Sequence, residues 1–146
     1  MPGIFGIISH RSDETNRAEL GLMLGCLLHE PFYRHGTFVD RDLGLYAGWT
    51  GIVDTREYPP VVECKERGLT IIFSGEDFNA PALGNMTPDN PTQIGSDHRK
   101  YSYLAGLYDR YGQGFPNELN GWFHGVVADR AKGRVFLFND CFGFIA

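Results

Sequence analysis

The chain has 146 residues, 42% hydrophobic and 21% charged, the composition of one globular domain rather than of a disordered segment. A formal net charge of −5 argues against nucleic acid or an anionic membrane as the main partner. The 3 cysteines, Cys26, Cys64 and Cys141, form no C-x-x-C pair, so the sequence predicts no zinc site and no disulfide framework, only buried, reduced thiols.

No apolar run approaches the roughly 20 residues of a membrane span, and the start lacks the basic and apolar regions of a secretory signal. A soluble, cytoplasmic protein is expected. Its 19 glycines, 11 phenylalanines and 7 tyrosines favour a turn-rich fold with substantial sheet.

Residues 3–9, GIFGIIS, are a short apolar run with β-branched side chains, which predicts a buried strand. The turn His10-Arg11-Ser12-Asp13 follows, with Ser12 or Asp13 as helix N-cap. Leu20, Met23, Leu24 and Leu27 recur at i, i+3, i+4 and i+7 and predict an amphipathic helix over 14–28. Residues 29–36 read as a loop, and strands are expected around 36–40, 43–47 and 51–54. Pro59-Pro60 interrupts the chain. A further strand over 68–75 ends in the turn Ser74-Gly75-Glu76-Asp77. Residues 79–96 carry Pro81, Gly84, Pro88 and Pro91 among polar side chains and predict a long loop. Tyr101, Leu104, Leu107, Tyr108 and Tyr111 then mark a second amphipathic helix over 97–111, closed by Gly112. Strands at 122–128 and 134–138 flank a turn ending in Gly133, which predicts a hairpin. The order describes a layered α/β or α+β domain. The 5 histidines, among them His29, His35 and His124, read as structural or surface residues rather than ligands.

Several segments, in order, carry a family resemblance. Met-Pro-Gly-Ile-Phe-Gly resembles the M-C-G-I-F-G start of class II, N-terminal-nucleophile (Ntn) glutamine amidotransferase domains, the kind that opens asparagine synthetases. Gly51-Ile52-Val53-Asp54 falls where that family has L-S-I-V-D, and Phe73-Ser74-Gly75-Glu76-Asp77-Phe78-Asn79 is similar to F-N-G-E-I-Y-N. Gly95-Ser96-Asp97 lines up with S-D-T-E. Leu119-Asn120-Gly121-Trp122-Phe123, Ala128-Asp129 and Phe136 through Gly143 resemble L-N-G-M-F, W-D and L-x-R-D-R-F-G.

The resemblance implies an α+β fold, an Ntn-hydrolase-like four-layer αββα sandwich, with residues 1–146 as a single domain. In the family an N-terminal cysteine, exposed by removal of methionine, supplies the thiolate nucleophile and, through its α-amine, the base. An asparagine side chain and a glycine N–H hold the oxyanion, and an arginine and an aspartate anchor the substrate glutamine. Carried over residue by residue, the nucleophile position is Pro2, which has neither thiol nor hydroxyl. The oxyanion positions are Ser74, in place of asparagine, and Gly75. The glutamine-binding positions are Trp49, in place of arginine, and Asp97, whose simplest role is a helix N-cap. The resemblance thus implies an amidotransferase domain without glutaminase activity, serving a structural or regulatory role beside an ATP-dependent synthetase domain or subunit. No cofactor is implied, because no phosphate-binding loop is readable.

Two alternatives stay open: an enzyme that uses Pro2 as a processed N-terminal secondary amine, and an unrelated β-rich binding domain. In the family the segment matching 140–143 precedes further strands and then the synthetase domain. A fragment and a minimal stand-alone version both fit a chain stopping at Ala146. A sheet without its last strands presents an edge to be covered or paired, for instance by homo-oligomerisation.

Overall fold

The computed structural model describes residues 3–52, 61–80 and 101–141. Pro2, Asp97, residues 81–96 of the loop predicted over 79–96 and the predicted helix start at 97–100 lie outside these residues. In chain order the elements are β1 (Gly3–Ile8), α1 (Asp13–Leu27), β2 (Tyr33–Asp40), β3 (Leu45–Ile52), β4 (Val61–Cys64), β5 (Leu69–Asp77), α2 (Ser102–Tyr111), β6 (Gly121–Asp129) and β7 (Arg134–Asn139). The strands form two sheets, β1-β3-β2 and β4-β5-β6-β7, antiparallel throughout.

Strand alternation sorts the core into two layers. Leu69, Ile71 and Phe73 of β5 join Phe123 and Val127 of β6 in a cluster with Leu104, Ala105 and Tyr108 of α2. Their neighbours Ile72, Val126 and Ala128 face the other way and pack against Leu45, Ala47 and Trp49 of β3. The two sheets are therefore stacked with apolar side chains between them, and α2 covers the outer face of the four-stranded sheet. On the outer face of the other sheet, the Tyr46 hydroxyl of β3 donates to Asp13 of α1 at 3.1 Å. The layers run helix, sheet, sheet, helix.

Local chemistry fixes the element ends. Thr15 N–H donates to Ser12 Oγ at 3.2 Å, so Ser12 caps α1. Asn16 is fully buried and its amide donates to the carbonyls of Ser9 (3.3 Å) and Arg11 (3.2 Å), which binds the helix to the turn after β1. Where β2 ends, the Asp40 carboxylate is buried and accepts from Arg130 Nε at 3.0 Å, clasping the three-stranded sheet to the β6–β7 turn.

Several expectations are corrected. β2 begins at Tyr33, inside the stretch read as a loop. Of the strands expected at 43–47 and 51–54, residues 45–47 and 51–52 belong to one strand, β3, which runs on through Gly48, paired with both β1 and β2, and Gly51, paired with β2; residues 53 and 54 lie outside the described residues. The turn expected at 74–77 is strand: β5 runs on to Asp77 because β6 pairs with it as far as the Asp77–Gly121 pair. β4 was not anticipated. The thiols of Cys26 and Cys141 are exposed rather than buried and Cys64 is half-buried; all three are free. Among the described residues no helix is long and apolar enough to cross a membrane.

Candidate functional site

Of the sequence-predicted site residues, Trp49, Ser74 and Gly75 fall within the described structure. In the three-stranded sheet, Ile4 of β1 pairs with Trp49 of β3, which pairs with Gly36 of β2. Ile4 and Trp49 both face the layer between the sheets. A Cβ on Gly36 would lie 2.3 Å from Trp49 Cζ2 and 2.7 Å from Cε2, so the indole rests directly on the glycine backbone. Trp49 is buried there, and only glycine at 36 leaves room for it.

In the four-stranded sheet, Ser74 of β5 pairs with His124 of β6, which pairs with Asn139 of β7. Ser74 is two residues from Ile72 and His124 two from Val126, so both side chains face the same inter-sheet layer. The two sheets meet at this point: Ile4 N–H donates to His124 Nε2 at 3.4 Å. Trp49 and Ser74 thus border one region of the layer near the amino end of β1, through the shared neighbours Ile4 and His124. Gly75 is next to it, with φ 120°, and a Cβ there would sit 2.0 Å from the Trp122 carbonyl oxygen. Backbone conformation and close strand approach both demand glycine.

The imidazole of His124 is an ionisable group of this region. Accepting through Nε2 assigns the proton of the neutral ring to Nδ1. That nitrogen is buried without a partner among the described residues. Burial pushes the His124 pKa down, and the Asp140 carboxylate opposes the shift. At the rim Trp122, paired with Glu76, meets Phe78 edge-on with ring centroids 5.8 Å apart, and both rings are exposed. Behind the rim, Asp77 accepts from Asn120 N–H at 2.9 Å and from the Tyr103 hydroxyl at 2.8 Å, which fixes the end of β5 against α2 and the start of β6.

The paired rows supply a hydroxyl (Ser74), an imidazole (His124), an amide (Asn139) and an indole (Trp49), but no thiol and no cation; Arg34 is the next residue along that face of β2. Cys64 packs against the cluster on the α2 side instead. Among the described residues no group of three or more His, Cys, Asp and Glu side chains is placed to hold a metal ion. Sequence reasoning passed over two residues here. His124 sits between Trp122 and Val126 at the period of an inward strand face, and a polar residue at that period was a usable signal. Gly36 had no signal at all, because its role exists only through the indole of Trp49 on the neighbouring strand β3.

Two comparisons with known proteins bear on this geometry. A family model described as a glutamine amidotransferase domain matches residues 1–145. A curated asparagine synthetase (glutamine-hydrolyzing) from Triphysaria versicolor is 28% identical over 79 residues, which is 54% of this chain and 13% of that protein. The match therefore spans only a small part of that relative's length.

Proposed function

The chain belongs to the glutamine amidotransferase domain family, and we propose that it has lost glutamine hydrolysis and serves a structural or regulatory role beside an ATP-dependent, amide-forming synthetase module. The single observation that carries this is Pro2 at the nucleophile position, a residue that cannot form a thioester. In this reading the fold is the Ntn-hydrolase four-layer sandwich, with which the helix–sheet–sheet–helix layering is compatible. Pro2 is the vestigial nucleophile position, Ser74 and Gly75 the oxyanion positions, and Trp49 and Asp97 the vestigial glutamine-binding positions. The indole of Trp49, seated on Gly36, fills space where an anchoring charge is missing. The similarity to a glutamine-hydrolyzing asparagine synthetase supports a synthetase as the partner.

The test is ammonia release from glutamine by the wild type, by Pro2→Cys, and by Pro2→Cys with Trp49→Arg and Ser74→Asn, after intact mass has shown that Met1 is removed. The wild type should release none, and Pro2→Cys alone should not restore turnover. An oxyanion donor is worth about 10²–10³ in rate. A charge-assisted hydrogen bond to the substrate adds about 1.5–3 kcal/mol. Turnover by the wild type would overturn the loss of activity and favour the processed Pro2 amine. Strong rescue by Pro2→Cys alone would show that positions 49 and 74 are misassigned.

A further inference from the structure

Hydrogen bonds join the two sheets at both ends of the layer between them. At one end Arg130 of the β6–β7 turn donates to Asp40 at the close of β2. At the other, Ile4 N–H of β1 donates to His124 Nε2 of β6 at 3.4 Å. The second link differs in kind, because its acceptor is the lone pair of a neutral imidazole, which a proton can take.

β3 cannot replace that acceptor. Ser9 N–H donates to Gly44 O at 2.8 Å, one step beyond the Ile8–Leu45 pair, and bonded pairs alternate with non-bonded ones in an antiparallel ladder. Phe5 and Ile7 therefore bond to β3, while the N–H of Ile4 points away from it.

The groups around the imidazole come from four strands. On its own strand and face, Trp122 and Val126 are uncharged. β5 sets Ser74 opposite it and Glu76 one step further along that face; β7 sets Asn139 opposite it, with Asp140 next in the chain. β1, GIFGII, brings no charge, and across the layer Arg34 follows Gly36 on the inward face of β2. Asp140 favours the imidazolium, whereas Glu76 is exposed and screened by solvent. Burial opposes the charged ring and prevails, holding its pKa below 6.5.

We propose that the Ile4–His124 bond is an acid-released latch at the amino end of the layer. When a second proton settles on Nε2 the lone pair is gone, and the ring turns from acceptor to donor. Two N–H groups then face each other where one bond stood. The sheets are released at that end, while Arg130 and Asp40 clasp them at the other. Ile4 and His124 border the region shared by Trp49 and Ser74, so acid loosens the part of the layer where the candidate site residues meet. The latch uses none of the catalytic assignments and stands whether or not the chain hydrolyses glutamine.

The test is an NMR series on the whole chain between about pH 7.5 and 4.5, following the His124 ring nitrogens and backbone amide exchange together. At neutral pH the ring should carry its proton on Nδ1. Protection of the Ile4 amide, measured against the unstructured chain, should fall about tenfold as His124 titrates, with the same midpoint, below 6.5. Phe5 and Ile7, bonded to β3, should keep theirs. In His124→Gln, whose side-chain carbonyl still accepts, Ile4 protection should not change with pH. Ile4→Pro, which removes the donor, should raise the His124 pKa, since no bond then competes with the proton. The wild-type series decides the matter if either variant fails to fold. A proton on Nε2 at neutral pH overturns the proposal, as does an Ile4 amide whose protection ignores the His124 titration. Loss of Phe5 and Ile7 protection together with Ile4 overturns it too, because the change would then be unfolding of the domain rather than release at one end.

Discussion

The contact between Gly36 and Trp49 can be tested by a double-mutant cycle. A Cβ at position 36 would approach the indole to 2.3 Å at Cζ2, 2.7 Å at Cε2 and 3.1 Å at Cη2, and the ring is buried between the sheets, with little room to retreat. Overpacking of this kind costs about 1–3 kcal/mol, which we assign to Gly36→Ala. Trp49→Ala, which empties a buried aromatic site, costs about 3–5 kcal/mol. Once the indole is gone, alanine at 36 meets no obstacle, and φ at Gly36 is not positive. It should then be neutral, or stabilising by up to about 1 kcal/mol through the reduced entropy of the unfolded chain. The cycle should therefore be non-additive by about 1–4 kcal/mol, well outside the roughly 0.5 kcal/mol of independent sites. Urea denaturation of the wild type, both single variants and the double variant measures it. Additivity within that margin would show that the indole does not rest on Gly36, and would remove Trp49 from the position the proposed function gives it.

Two further outcomes follow from the same region. The His124 pKa is held below its ordinary 6.5 by burial, so as pH falls through 6.5 the unfolded chain takes up a proton that the folded chain resists; melting temperature should drop from pH 7.5 to 5.5, more steeply in the wild type than in His124→Gln, and equal slopes would refute the assignment. Gly75→Ala combines φ 120° with a 2.0 Å approach to the Trp122 carbonyl and should destabilise by about 2–6 kcal/mol in the same urea assay, whereas Gly3→Ala, with nothing within 4 Å, should change stability by less than about 0.5 kcal/mol.

Local patterns were legible where one face of an element decides its burial. Ser12 as a cap, the helix beginning beside it, the strand at GIFGII and the hairpin around Gly133 all follow from signals confined to a few residues. The misread stretches depend on pairing partners distant in sequence. β3 is nearly all buried, with β1 and β2 on either side of Gly48 and β2 beside Gly51, which carries it across the gap between the two strands expected there. Ser74-Gly75-Glu76-Asp77 has turn composition, yet β6 pairs with all four residues and holds them extended. β4 is 4 residues long directly after Pro59-Pro60, too short for a periodicity to register, and gains its place from β5. For the site, the sequence pointed to positions 49 and 74. That they share a layer depends on stacking two sheets, and His124 enters only through a bond across 120 residues.

Gly75 bears on how far the persistence of site residues speaks for catalysis. In the proposed assignment it is an oxyanion position that matches the family, which at first favours an active site. Its φ and the nearness of the Trp122 carbonyl require glycine at that place whether or not any oxyanion is ever bound. A chain that had stopped hydrolysing glutamine would keep Gly75 as long as β5 and β6 remained paired. The informative positions are those whose side chains the sheets do not dictate. Ser74 is one: it is half-buried on a strand row that would admit other polar side chains of its size. Trp49 is of the other kind, for its burial against Gly36 makes it part of the core. Placing arginine at position 49 would set a cation beside Ile72 and Val126 unless it reached an acceptor. For that reason a multiply substituted variant should be judged on turnover per folded molecule, and the Gly36–Trp49 cycle is the measurement to make before it.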